Sequence, residues 1–295
     1  MRVRRAIIAM CALGAVAGAR AQACNEPGWR TQRIDAIAQG GRLYDNWWAA
    51  CGLAEPQGTH PSYPAAGKQS GAVTWRCKEC HGWDYRGKDG AYAEGAHYTG
   101  IGGIAAAAGR SEAGIVATLK DSTHRFDGVM PQALLQRVAR FVARGQVDAG
   151  AYIDPRTKAV AGRVGAGRRI YAQQCMACHG AAGRALNFSA SPGAPEYVGT
   201  VAADNPWEAW HKIRHGQPGA VMNAQRVSEL AADPDAQKGP RGTMGGSMHG
   251  RMGEHMGGPM AGHMLAGRAM PAMRDRLSLR QQLDLLSFLQ TLPPR

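Results

Sequence analysis

The chain has 295 residues, with 35 Lys and Arg against 22 Asp and Glu, for a formal charge of +13. That length suffices for two domains of ordinary size. Its 40 glycines, many alanines and scarce strand-forming runs argue against a sheet-built core and predict helices joined by long loops.

The N-terminus opens Met1-Arg2-Val3-Arg4-Arg5, continues with an apolar run from Ala6 to Ala19, and leaves it through Arg20, Ala21, Gln22 and Ala23. A basic start, a short apolar centre and a small-residue exit read as a secretory signal peptide over residues 1–23. The run is too short to span a bilayer comfortably, and no later stretch is apolar enough. The expectation is an exported, periplasmic protein without a transmembrane segment in its mature chain. Removing the four arginines of this segment lowers the formal charge to +9. A basic surface suits docking to a partner with an acidic face, and simple solubility explains it equally well. Nucleic acid is not an expected partner for an exported protein.

Seven cysteines follow a simple division. Cys11 lies in the signal segment. Cys24 and Cys51 form an even pair in an oxidising compartment, so a disulfide is the default. A lipid anchor on Cys24 or a metal-ligand role for Cys51 are the alternatives. The other four sit in two copies of one motif.

Residues 34–50 read as a helix that brings Gly41, Tyr44, Trp47 and Trp48 onto neighbouring turns. A Pro/Gly-rich loop over 58–71 follows. Then comes Cys77-Lys78-Glu79-Cys80-His81, the Cys-x-x-Cys-His signature of c-type haem attachment. Two residues between the cysteines put both sulfurs on one turn, and the next residue turns its imidazole to the ring centre. A redox dithiol or a four-cysteine zinc site would not require the attached His. Trp75, Trp83 and Tyr85 flank the motif, either at the haem edge or in the core. A helix over 111–120 is expected with Ser111 as N-cap. A stronger one runs over 131–144, with Pro131 in first position, Leu134, Leu135, Val138, Phe141 and Val142 at helical spacing, and Gly145 as stop.

After residue 150 a linker is expected over 151–166. Gly167, Tyr171 and Cys175 then stand four residues apart, and Cys175-Met176-Ala177-Cys178-His179-Gly180 repeats the motif. This pattern resembles the class I c-type cytochromes. The resemblance covers almost all of this half and the first half more loosely. It implies an all-α chain of two tandem cytochrome c-type haem domains: residues 24–150, and residues 167–295 with an insertion at 240–266. In each, a first and a last helix would cross at a Gly/aromatic contact. In the second half the last helix, 278–292, supplies Leu283, Leu286 and Phe288. Cys77, Cys80, Cys175 and Cys178 would attach two haem c groups, with His81 and His179 as proximal iron ligands.

The distal ligands are less direct. Met270-Pro271 matches the family's distal Met, with Met222 second; Met270 lies 18 residues before Phe288. In the first half Phe141 lies 17 residues after His124 but only 11 after Met130, so His124 leads and Met130-Pro131 is the alternative. Met244, Met248, Met252, Met256, Met260 and Met264 recur every fourth residue with His249, His255 and His263 among them. Thioethers and imidazoles are soft ligands for Cu(I), but glycine at this density opposes an ordered helix, and a low-complexity loop grown by repeat expansion is the favoured reading. The leading expectation is an electron carrier between redox proteins, not an enzyme. The rivals are a dihaem peroxidase or sulfur-oxidising enzyme with one open iron, and a copper-handling protein.

Overall fold

The computed structural model describes residue 24 and residues 35–189, 193–218 and 270–294. Residues 1–23, Met222 and the Met/His-rich insertion at 240–266, with its copper reading, lie outside the described residues. Among the described residues the architecture is helical, with two isolated bridges, Gly87 to Gly102 and Ile153 to Val160, in place of strands.

Helix α1 spans Ala36–Cys51 and starts where the Asp35 carboxylate accepts the Ile37 N–H at 3.2 Å. It kinks at Asn46, whose side-chain oxygen accepts the Ala49 N–H at 3.0 Å and so recaps the helix midway. It ends at Gly52 in the left-handed conformation, φ +63°. Cys51 is bonded to Cys24, which realises the expected pairing and removes Cys51 as a metal ligand. The first motif forms the short helix α2, Cys77–His81. Helix α3 spans Glu112–Lys120, with the Ser111 hydroxyl accepting the Gly114 N–H. Helix α4 spans Gln132–Arg144 and ends at Gly145. Pro131 is its cap rather than its first helical residue, because its ψ of 140° is extended. The apolar stripe of α4, Leu134, Leu135, Val138, Phe141 and Val142, is buried against α1. Each such side chain contributes about 1.5–3 kcal/mol of apolar burial.

The second half repeats the plan. Helix α5 spans Val164–Gln174, beginning inside the expected linker, and α6 is the second motif, Met176–His179. Helices α7, Val198–Asp204, and α8, Pro206–His215, follow. Helix α9, Leu279–Leu289, opens with a capping box between Ser278 and Gln281. Residues preceding α5 are folded against this half: Ile153 is buried, and the Ser287 hydroxyl donates to the Val160 carbonyl at 3.0 Å.

Two helix crossings correspond. A Cβ on Gly40 would stand 2.6 Å from that of Phe141, and one on Gly167 would stand 2.7 Å from that of Phe288. Only glycine allows α1 to approach α4, and α5 to approach α9, this closely. Four residues after each glycine a tyrosine meets the same phenylalanine, with centroids 5.2 Å apart for Tyr44 and Phe141 and 5.2 Å for Tyr171 and Phe288. The Gly/aromatic crossing expected for the second half is present. The first half has it too, at Gly40 rather than its neighbour Gly41.

The halves are joined by a polar and aromatic seam. Arg42 donates to the carbonyls of His215 at 2.7 Å and Met270 at 3.0 Å. The His211 ring lies between the Gly41 carbonyl, 2.9 Å from Nε2, and the Tyr85 hydroxyl, 2.8 Å from Nδ1. A carbonyl can only accept, so Nε2 carries the proton and Nδ1 accepts from Tyr85. Trp83 and Tyr92 pack into the core of the second half, so they and Tyr85 serve the core and seam, while Trp75 faces the cavity described next.

Candidate functional site

The attachment motifs are built alike. In each, the residue after the histidine is a glycine at φ +75°. The Tyr44 hydroxyl donates to the Gly82 carbonyl at 2.6 Å, and Tyr171 donates to Gly180 at 2.6 Å. The His81 carbonyl accepts the Gly87 N–H at 2.9 Å, and the His179 carbonyl accepts the Ala185 N–H at 3.0 Å. The tyrosine that fills each helix crossing therefore also pins the turn beneath each histidine, which links the packing of the helices to the aim of the imidazole.

Around the first motif lies a partly open cavity. Its wall is mainly apolar, with Trp75, Ile104, Leu119, Phe126 and Val142, and it includes Cys77, Cys80, His81 and His124. The His81 and His124 rings have centroids 6.2 Å apart and planes 23° from parallel. An imidazole nitrogen binds a transition metal at about 2.0 Å, and its ring centre lies roughly 1 Å further back. Two imidazoles on opposite sides of one metal therefore have centres about 6 Å apart.

The other ring nitrogens are engaged as metal-bound histidines require. His81 Nδ1 faces the Gly102 carbonyl at 2.8 Å, which leaves Nε2 for a metal. His124 Nδ1 faces Asp121 Oδ1 at 3.2 Å. Burial lowers the His81 pKa and favours the neutral, ligating form. Met130 is buried in the first core and does not line the cavity. The sequence thus brings His81 and His124 together and directs Met130 elsewhere.

The thiols distinguish the rival uses of Cys-x-x-Cys. Burial pushes Cys77 up to about 12, Cys80 up to about 11 and Cys175 up to about 12. A redox dithiol needs the opposite, a lowered pKa that makes thiolate. Among the described residues no three or more His, Cys, Asp or Glu side chains are grouped as a metal site would group them. Two cysteines and an adjacent neutral imidazole at the edge of an apolar cavity fit a covalently attached haem.

At the second motif, burial lowers His179 to about 4, and its Nδ1 is enclosed without a partner among the described residues. Cys175 packs on the second core. The Met270 carbonyl accepts from Arg42 and lies beside Gly216. Met273 is buried in the core, its N–H on the Ile213 carbonyl.

Sequence reasoning missed His60. It is buried at the cavity wall, with Nε2 2.9 Å from the His124 carbonyl. Its only signal was position, a lone histidine in a Pro/Gly-rich loop.

Residues 162–237 match the family model described as cytochrome c oxidase, cbb3-type, subunit III. No curated protein and no solved structure matches the chain. The family match supports a c-type cytochrome domain with covalently bound haem in the second half, a type that is generally an electron carrier. No helix among the described residues is long and apolar enough to cross a membrane.

Proposed function

We propose that the chain is an exported dihaem cytochrome c that relays single electrons between redox proteins. The observation that carries this reading is the recurrence, around both Cys-x-x-Cys-His motifs, of one set of contacts: glycine crossing, tyrosine on phenylalanine, tyrosine hydroxyl on the carbonyl after the histidine. The second half matches a cytochrome family model; the first half shares its geometry.

When bound, each haem supplies a one-electron ferric/ferrous couple. Cys77 and Cys80, and Cys175 and Cys178, hold the groups by thioether bonds. His81 and His179 are the proximal ligands. His124 is the distal ligand of the first site. Met270 is that of the second, with Met222 as its rival. A thioether favours ferrous iron relative to a second imidazole, so with His124 and Met270 as ligands the second site would have the higher potential. Residues 1–23 act as the export signal, and the mature charge of +9 suits partners with an acidic face.

The test is a ferric EPR spectrum of the purified full chain, integrated against a haem count from intact mass. Two haems per chain, one bis-His and one His–Met, both low-spin, are expected. A single haem overturns the dihaem reading. A substantial high-spin fraction overturns the carrier and directs attention to peroxide and sulfur substrates.

A further inference from the structure

The two halves differ most between the first helix and the attachment motif. Helix α5 runs to Gln174 and Cys175 follows at once, whereas 25 residues, 52–76, separate Cys51 from Cys77. Part of this loop lies against the segment that carries His124. His60 Nδ1 accepts the Ser62 N–H at 3.1 Å, so the neutral ring carries its proton on Nε2 and donates it to the His124 carbonyl at 2.9 Å. The Ser62 hydroxyl donates to the preceding carbonyl, that of Thr123, at 2.7 Å. Two consecutive carbonyls of the distal segment are thereby tied to one loop.

The loop itself is anchored. The His60 N–H donates to the Thr74 hydroxyl at 2.8 Å, and its ring stands edge-on to Trp75 with centroids 4.4 Å apart. Both ring nitrogens are used, so His60 faces the cavity without being available to a metal. The held segment needs restraint: Arg125, directly after His124, sits at φ +56°, a left-handed conformation disfavoured for arginine. Met130, a competing thioether, follows six residues after His124.

We propose that loop 52–76 is a brace for the distal side of the first site, and that His60 is a positioning residue that keeps His124, rather than Met130 or an open site, opposite His81. This inference rests on His124 being the distal ligand.

The experiment uses the haem-loaded full chain and two readouts: the ferric EPR spectrum and the rate of carbon monoxide binding to the reduced protein, where access requires the distal ligand to leave. In His60→Ala the rate rises about tenfold, the scale of one lost buried hydrogen bond, and part of the bis-His signal gives way to a high-spin or thioether-ligated one. His60→Gln, whose amide can still donate to the carbonyl, returns both readouts to within about twofold of wild type. Ser62→Ala raises the rate about threefold. A wild-type spectrum without a bis-His signal overturns the ligand assignment and the brace together. A bis-His wild type with His60→Ala unchanged in both readouts overturns the brace alone. If His60→Ala yields no haem-loaded protein, Ser62→Ala decides, and an unchanged rate there overturns the brace.

Discussion

Lys212 Nζ lies 3.1 Å from Asp45 Oδ2, a contact between residues 167 positions apart that ties α8 to α1. The Asp45 side chain has no exposed surface, and Arg76 pairs with its other oxygen. A buried carboxylate with two cationic partners is a point at which the seam is sensitive to acid.

Burial by itself would raise the Asp45 carboxyl; Lys212 and Arg76 outweigh it and hold the group well below the usual carboxylate range. The folded state therefore releases this proton more readily than the unfolded chain. The resulting stability is complete above the ordinary carboxylate pKa of about 4 and is lost as pH falls below it. Guanidinium unfolding midpoints at pH 7 and pH 3 should fall markedly between the two. In Asp45→Asn that fall shrinks, and stability at pH 7 drops by about 3 kcal/mol, because Lys212 and Arg76 lose the buried carboxylate they share and keep only the more distant Glu208 and Glu79. An Asp45→Asn protein with the wild-type pH dependence would remove Asp45 from this role.

His124→Ala should open the first iron, giving a high-spin ferric signal and rapid carbon monoxide binding. Met130→Leu, in the core, should leave both readouts at wild-type values and cost less than about 1.5 kcal/mol. Reversal of the two results would assign the thioether to the first site.

Gly40→Ala and Gly167→Ala should be similarly destabilising, by about 1–3 kcal/mol each, because in both cases the added carbon meets a facing helix that cannot retreat. Gly165→Ala, in α5 with open space around it, should be neutral or stabilising by about 0.5–1 kcal/mol. Thermal unfolding of the three variants checks this. A neutral Gly40→Ala would break the equivalence of the two halves.

What could be read in the sequence was what local chemistry decides. Ser111 and Ser278 cap their helices through bonds that span three residues. The stripe of α4 shows its period directly. Gly167, Tyr171 and Phe288 were readable because helix and motif are contiguous. Gly40 was hidden by its neighbour Gly41 and by the loop that parts α1 from Cys77; either glycine satisfies the pattern, and only the facing backbone chooses. The seam left no trace, because bonds such as Tyr85 to His211 and Arg42 to His215 join residues 126 and 173 positions apart and follow no period. His60 belongs with them: its role consists of a bond to a main-chain carbonyl, and a carbonyl has no residue identity to read.

The seam also bears on kinetics. Redox modules on a flexible tether exchange electrons when they happen to collide, and their rate slows as the medium thickens. Here Arg42, His211 and Lys212 fasten one half to the other. On the two-haem reading, the interval between the iron centres is a constant of the molecule. Internal transfer would then depend on driving force and tunnelling distance and not on diffusion, so glycerol or sucrose in the buffer would slow the arrival of partners while leaving the internal step untouched.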